Sequence, residues 1–199
     1  MRFVNLSRQA SLVVALAVLA TLACAAGEDQ TEKSKPDIPY LPTPQKVVDR
    51  MLEVAKVTKK DVVYDLGCGD GRIVCTAARK YKCKAYGFDI NPVRIKDSEK
   101  TKAKLDKDIQ KLVTFKKADI FKLDLSPASV VTLYLLPSLN VKLIPQLKKL
   151  KAGSRIVSHA FDMEGVKPDK GFPITVKDED GFGRQVYRWT TPLKFEKKD

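Results

Sequence analysis

The amino-acid sequence predicts an α/β fold: a mostly parallel sheet with helices on both faces and an antiparallel hairpin at its C-terminal end. Short apolar runs alternate with helical-period stretches from about residue 44 to residue 158, the pattern of parallel strands joined by covering helices. The tail "ITVKDEDGFGRQVYRWT" then sets Asp180, Gly181 and Gly183 between two segments rich in β-branched and aromatic residues, as an edge hairpin requires. With 199 residues, 44% of them hydrophobic, the chain can fill one core but not obviously two.

The first 27 residues contain no acid, carry Arg2 and Arg8, and run apolar from Leu12 to Ala26. About fifteen apolar residues fall short of the roughly 20 that span a bilayer, and Ala23-Cys24-Ala25 offers a small-residue cleavage pattern. Residues 1–27 therefore read first as a secretory signal peptide. A lipoprotein cysteine at Cys24 comes second, with Thr21 and Leu22 counting against it, and an uncleaved anchor or organelle transit peptide comes third. The domain is expected to be exported or membrane-anchored. Residues 28–38, polar and holding Pro36, read as a solvated linker, and the folded domain is expected over residues 39–199.

In "PYLPTPQKVVDRMLEVA", Thr43 is placed to cap a helix that has Pro44 at its first position and Val47, Val48, Met51, Leu52 and Ala55 on one face. Strands are then expected over residues 62–66, 85–90, 113–117, 130–135 and 155–158, with helices over 72–80, 93–107 and 141–150 between them. The chain has 37 basic and 24 acidic residues, net +13 at pH 7, and remains at +11 without the leader. Such an excess suits an anionic partner, nucleic acid or a lipid surface, yet lysines scattered as Lys96, Lys100, Lys102, Lys104, Lys107 and Lys111 are more often a solvated face. Beyond the leader with its Cys24, the remaining Cys68, Cys75 and Cys83 are odd in number and lack the paired spacing of a zinc site, so neither a metal nor a disulfide framework is expected.

The stretch "VVYDLGCGDGRIV" raises the functional question. A dinucleotide fingerprint needs G-x-G-x-x-G, but here the spacing is Gly67-x-Gly69-x-Gly71 with Arg72 in the slot of the third glycine, and no Gly-Lys-Ser/Thr follows as a phosphate loop would demand. Asp65 just before the glycines would repel a pyrophosphate and attract an ammonium. Asp89, 18 residues beyond Gly71 at the end of the second strand, can accept two ribose hydroxyls, and Asp119 after the third strand can accept an adenine amine. A lone aspartate at a strand end is commonly a turn former, but one after each of three successive strands points to a nucleoside carrying a cationic amino-acid tail.

This arrangement resembles the class I S-adenosylmethionine-dependent methyltransferases. The resemblance implies a Rossmann-like seven-stranded sheet with one reversed strand and S-adenosyl-L-methionine as cofactor. It implies Asp65 near the methionine ammonium, Gly67, Gly69 and Gly71 against methionine and ribose, Asp89 with Ile90 at the ribose, and Asp119 with Ile120 at the adenine. Tyr40, in the segment before the first helix, is expected to close over the cofactor. In order, "PYLPTP", "VYDLGCGDGRIV", "DINP", "ADIF", "TLYLLPSLN" and "AGSRIVSHAF" resemble a family of small lysine methyltransferases, across residues 39 to 163. Its eukaryotic members are mitochondrial and modify the ring-forming c protein of ATP synthase and the adenine nucleotide translocase, so a mitochondrial location follows if the source is eukaryotic.

The acceptor implied is a lysine of a protein substrate, with the chain expected to act as a monomer and its basic surface to favour anionic membrane. Methyltransferases acting on base amines usually show Asn or Asp, then Pro-Pro and an aromatic, after the fourth strand; "VVTLYLLPSLN" does not, which makes nucleic acid an unfavoured acceptor. "TLYLLP" offers instead an apolar slot with Tyr134 as the ring facing a cation and Pro137 freeing backbone carbonyls. His159 is conceivable as a general base, but a single histidine at a strand end is more often structural. Alternatives are a small-molecule methyltransferase and a non-catalytic exported module with a nucleoside pocket.

Overall fold

The structure is a computed structural model and describes residues 41–196. The expected leader, the linker and Tyr40 lie outside the described residues. Among those residues no helix is long and apolar enough to cross a membrane.

The elements in chain order are α1 (Gln45–Val54), β1 (Val62–Leu66), α2 (Arg72–Tyr81), β2 (Lys84–Asp89), α3 (Pro92–Ala103), α4 (Lys107–Gln110), β3 (Val113–Lys117), a 3₁₀ turn (Ile120–Lys122), β4 (Val130–Leu133), α5 (Pro137–Leu147), β5 (Arg155–His159), β6 (Ile174–Lys177) and β7 (Gly183–Thr190). They form a seven-stranded sheet in the order β3-β2-β1-β4-β5-β7-β6. Strands β1 to β5 pair in parallel, and β7 runs antiparallel to both β5 and β6, so it is the one reversed strand. The order reverses between β1 and β4, where open α/β sheets leave a crevice outside the carboxyl ends of their strands.

Period-two alternation divides the core. Val63, Ala85, Val130 and Val157 face the side covered by Val47, Val48, Met51 and Leu52 of α1 and by Ile73, Val74 and Ala77 of α2. Leu66, Leu133 and Ile156 face the other side, against Leu143 and Leu147 of α5 and against Trp189. Each fully buried aliphatic side chain stabilises the fold by about 1.5–3 kcal/mol, which is why strands buried on both faces read as continuous apolar runs. Trp189 also needs a partner for its indole N–H and donates it to the Val166 carbonyl at 3.1 Å.

Four sequence expectations are corrected. Thr43 does not cap α1: Pro44 takes the cap position without any side-chain hydrogen bond, because the Thr43 hydroxyl faces His159. The helix expected over residues 93–107 stops at Ala103, where the amides of Lys104 and Leu105 turn back to Thr101 and Lys102 in tight i→i+3 bonds, and resumes as α4. Strand β4 ends at Leu133 rather than residue 135. Helix α5 begins at Pro137 rather than residue 141, since a proline at the first helical position gives up no hydrogen bond. The lysines of α3 and α4 are partly used locally, in i,i+3 pairs such as Lys100–Asp97 at 3.2 Å and Lys111–Asp108 at 2.8 Å.

Candidate functional site

The loop after β1 is held to β2 by two amides, those of Gly67 and Cys68, which share the Phe88 carbonyl at 2.8 and 3.0 Å. Gly67 has φ +82, and a Cβ there would stand 2.8 Å from Leu135 Cδ2; the missing side chain lets the segment after β4 lie against the loop. Gly71 has φ +76 and caps α2, with the Phe115 ring and Ser98 Cβ occupying the space a side chain would need. Two of the three glycines are thus demanded by the protein's own packing as well as by the left-handed backbone. Gly69 turns its amide into the site's edge, donating to Asp89 Oδ2 at 3.0 Å.

Asp65 lies beneath this loop, 2% exposed, in register with Thr132 of β4, whose hydroxyl donates to its Oδ1 at 2.6 Å. Burial pushes its carboxyl up to about 7, and the negative charges of Asp89 and Asp70 push the same way, against the Thr132 hydrogen bond. A carboxylate so placed is electrostatically unfinished, and an ammonium is the group that completes it. Asp89 accepts from Gly69 N–H and, through Oδ1, from Asn91 N–H at 2.9 Å, which fixes the carboxylate at the end of β2 with acceptor capacity remaining. Ile90 beside it is 64% exposed, an apolar side chain that presents a face to whatever lies over the strand end. Asp119 does act as a turn former, accepting from Phe121 N–H at 3.0 Å to open the 3₁₀ turn that carries Ile120.

On the α1 side of the sheet, the layer above Asp65 and Thr132 contains Tyr134 and His159. Their ring centroids are 4.0 Å apart, and Phe161 follows at 6.3 Å from Tyr134. Tyr134 is half-buried, and burial raises its phenol. His159 is 1% exposed; burial above all, then the Arg184 charge, lowers its imidazole to about 4 against the pull of Asp178. It is therefore neutral at physiological pH. Pro137 is exposed at the start of α5, and the Leu136 carbonyl before it is taken by the amides of Leu139 and Asn140.

Three features that position the site have roles the sequence does not disclose, although each residue is marked by its type. Arg72 donates Nη1 to the Thr43 carbonyl at 2.9 Å while its Nε and Nη2 grip Asp70 at 3.0 and 2.6 Å, so it clasps the glycine loop to the segment leading into α1. Asn140 is wholly buried and donates its amide to the Asp162 carbonyl at 2.9 Å, tying α5 to the turn after β5. Gly87 within β2 leaves room for Phe115 Cδ1 and Cys68 Cβ, which would otherwise stand 2.6 and 2.8 Å from its Cβ. The signal in each case is a residue type at odds with its place: an arginine in a glycine slot, an asparagine inside an apolar helix, a glycine inside a strand.

The glycine loop with Asp65 and Asp89 lies at the switch point of a sheet with one reversed strand, and the apolar Leu135 that follows β4 packs against that loop. A family model for the ANTKMT methyltransferase domain matches residues 65–170. The chain is 46% identical over 149 residues to a protein-lysine N-methyltransferase of Saccharolobus islandicus, covering 73% of this chain and 88% of the relative. It is 29% identical over 132 residues to the Caenorhabditis elegans lysine N-methyltransferase that is named for the c protein of ATP synthase, covering 63% and 68% respectively. The crystal structure of an RNA methyltransferase from Salinibacter ruber, in complex with S-adenosyl-L-homocysteine, superimposes with a TM-score of 0.69 at 46% identity, over 79% of this chain and 98% of that one. The chain belongs to the ANTKMT methyltransferase family, and S-adenosyl-L-methionine is its cofactor.

Proposed function

We propose that the chain methylates the ε-amino group of a lysine in a protein. The observation that carries this reading is the segment after β4, where Tyr134, Leu135 and Leu136 present apolar surface and the Tyr134 ring packs on the uncharged His159. A lysine amine has a pKa near 10.4, so presenting it neutral at pH 7 costs about 4 to 5 kcal/mol. An apolar surface that strips water from the ammonium lowers that pKa and supplies part of the cost. Asp65 is assigned to the methionine ammonium, the backbone of Gly67, Gly69 and Gly71 to the methionine and ribose, and Asp89 with Ile90 to the ribose. Asp119 and Ile120 are assigned to the adenine and Tyr40 to the cover. When bound, the cofactor supplies an electrophilic methyl group on a sulfonium. The residues named above would hold the acceptor nitrogen, the methyl carbon and the sulfur in line, and that positioning would carry most of the acceleration. Tyr134 can stabilise cationic charge through its ring face, and Pro137 fixes where the slot meets α5.

The proteins at 46% identity differ in their named acceptors, a lysine in one and RNA in the other. The surplus of 37 basic over 24 acidic residues favours the second reading, whereas the missing Asn/Asp-Pro-Pro-aromatic run after β4 favours the first. Radiolabelled cofactor incubated with a cell extract separates them: label that survives nuclease and hydrolyses to methyl-lysine supports the protein acceptor, and nuclease-sensitive label overturns it. A label found only in low-mass solutes means a small-molecule enzyme. We further propose that residues 1–27 direct the domain to a membrane or across it, that the basic surface favours anionic lipid, and that the chain works as a monomer. Because the cofactor is made inside cells, an anchor or organelle signal accords with the activity better than export does. N-terminal sequencing of the native protein with fractionation, and its mass in solution, test these points.

A further inference from the structure

Among the described residues, two buried side-chain polar atoms have no hydrogen-bond partner, Asn140 Oδ1 and His159 Nε2. Folded proteins rarely leave such atoms unsatisfied, since each costs about 1–3 kcal/mol. Asn140 reaches the Ser158 side of β5, away from the slot. His159 is one residue on, so its ring projects from the opposite face, the side of Asp65, Thr132 and Tyr134. Its Nδ1 lies 3.2 Å from Thr43 Oγ1 and Tyr134 covers its face at 4.0 Å. Behind it Ala160 is held at φ +65, a conformation that costs an alanine about 1–2 kcal/mol, with Phe161 N–H bonded to the His159 carbonyl at 2.8 Å. A strained turn, a partner on one ring nitrogen and none on the other are what a preorganised ligand contact requires.

We propose that His159 Nε2 accepts an N–H bond from the acceptor amine and thereby aims the nitrogen lone pair at the methyl group, which makes His159 a specificity-determining residue for how many methyls are added. The inference rests on the lysine reading above. It requires the tautomer in which Nδ1–H donates to Thr43, leaving Nε2 as a bare acceptor. The half-buried Tyr134 ring is the side chain that yields to admit the amine. An imidazole lowered to about 4 cannot take a proton from lysine, so His159 orients the amine and the proton of the methylated product leaves to water. A neutral unmodified amine offers two N–H bonds, a monomethylated amine one, and a dimethylated amine none. The contact therefore favours the first two transfers and gives nothing to the third.

The test uses the full chain and peptides spanning the labelled lysine in unmodified, monomethyl and dimethyl forms. His159→Leu is expected to slow transfer to the first two by roughly fivefold to tenfold, the worth of one hydrogen bond, and to change transfer to the third by less than about twofold. His159→Gln, which returns an acceptor oxygen near the position of Nε2, restores the preference. Equal losses on all three peptides overturn the proposal. Should His159→Leu fail to fold, Thr43→Val on an intact histidine frees the tautomer and is expected to show the same dependence on methylation state, while Thr43→Ser does not. Independently of activity, nitrogen NMR of protein saturated with S-adenosylhomocysteine is expected to show Nε2 unprotonated and its resonance moving on addition of butylamine; a protonated or unresponsive Nε2 overturns the proposal. A response to butylamine without methyl-lysine in any protein sinks the lysine reading and leaves the amine contact standing. Methyl-lysine formed without discrimination by His159 sinks the contact and leaves the lysine reading.

Discussion

With Asp65 assigned to the ligand ammonium, as proposed above, cofactor binding is expected to depend on pH in a direction fixed by the surroundings of that carboxylate. Its pKa is raised from 3.8 to about 7 in the unliganded protein, chiefly by burial. The folded chain therefore holds a proton that the unfolded chain has lost, and unliganded stability falls as pH rises from the unfolded value to about 7, by roughly 4 kcal/mol in all at 1.36 kcal/mol per unit. A ligand ammonium inverts the preference, because it pairs with the ionised form. Binding below pH 7 must then expel the proton, and affinity for S-adenosylhomocysteine is expected to weaken by nearly tenfold for each unit below about 7 and to level off above it. Calorimetry in two buffers of different ionisation heat should register release of about nine-tenths of a proton at pH 6 and almost none at pH 8. Asp65→Asn is expected to abolish this release and to weaken binding at pH 8, while raising the melting temperature of the unliganded protein there. Affinity that stays flat between pH 5.5 and 7, or an Asn variant that binds like the wild type at pH 8, would refute the assignment of Asp65 to the ammonium.

Gly71→Ala places a methyl group against the Phe115 ring and Ser98 at a φ of +76, and is expected to cost about 1–3 kcal/mol of stability by urea unfolding; an unmoved midpoint would show the helix able to shift. Arg72→Met removes the donor to the Thr43 carbonyl, and the amides of the first turn of α1 should exchange hydrogen faster at unchanged global stability; unaltered exchange would mean the clasp is idle. Cys68, Cys75 and Cys83 are buried, and burial above all pushes their thiols up, Cys75 to about 12 and Cys83 to about 11. In the native protein these three thiols should resist a reagent that labels them after unfolding, as read by site-resolved mass mapping; rapid labelling of Cys68 would reveal an opening of the glycine loop.

What a sequence makes legible is whatever neighbouring residues encode among themselves. Strands β1 and β3 have the bounds expected of them, and Asp65, Asp89 and Asp119 fall at or just beyond the carboxyl ends of three successive strands, because alternation and loop glycines are local marks. Thr43 departs from expectation for the opposite reason: its hydroxyl answers to a histidine 116 positions away, which outweighs the local preference for a cap. Arg72 likewise reaches back 29 residues, and Gly87 is a glycine on account of Phe115 in the next strand. The start of α5 is marked by Pro137 but hidden by apolar residues that continue without a break from β4. The neutrality of His159 comes from enclosure by α1, β4 and the hairpin together, which no single window of sequence contains.

The reversal of β7 brings the bend at residues 178–182 to the carboxyl edge of the parallel strands, although the hairpin lies at the far margin of the sheet from β1. There Glu179 receives the Lys46 amide at 2.8 Å, and Phe182 stands 63% exposed. The bend pairs with none of the strands that bear Asp65, Asp89 or Asp119, yet Asp178 within it and Arg184 just beyond it set the charge felt by His159. A substitution in that bend is therefore expected to alter the imidazole at the neighbouring strand end while leaving the glycine loop undisturbed.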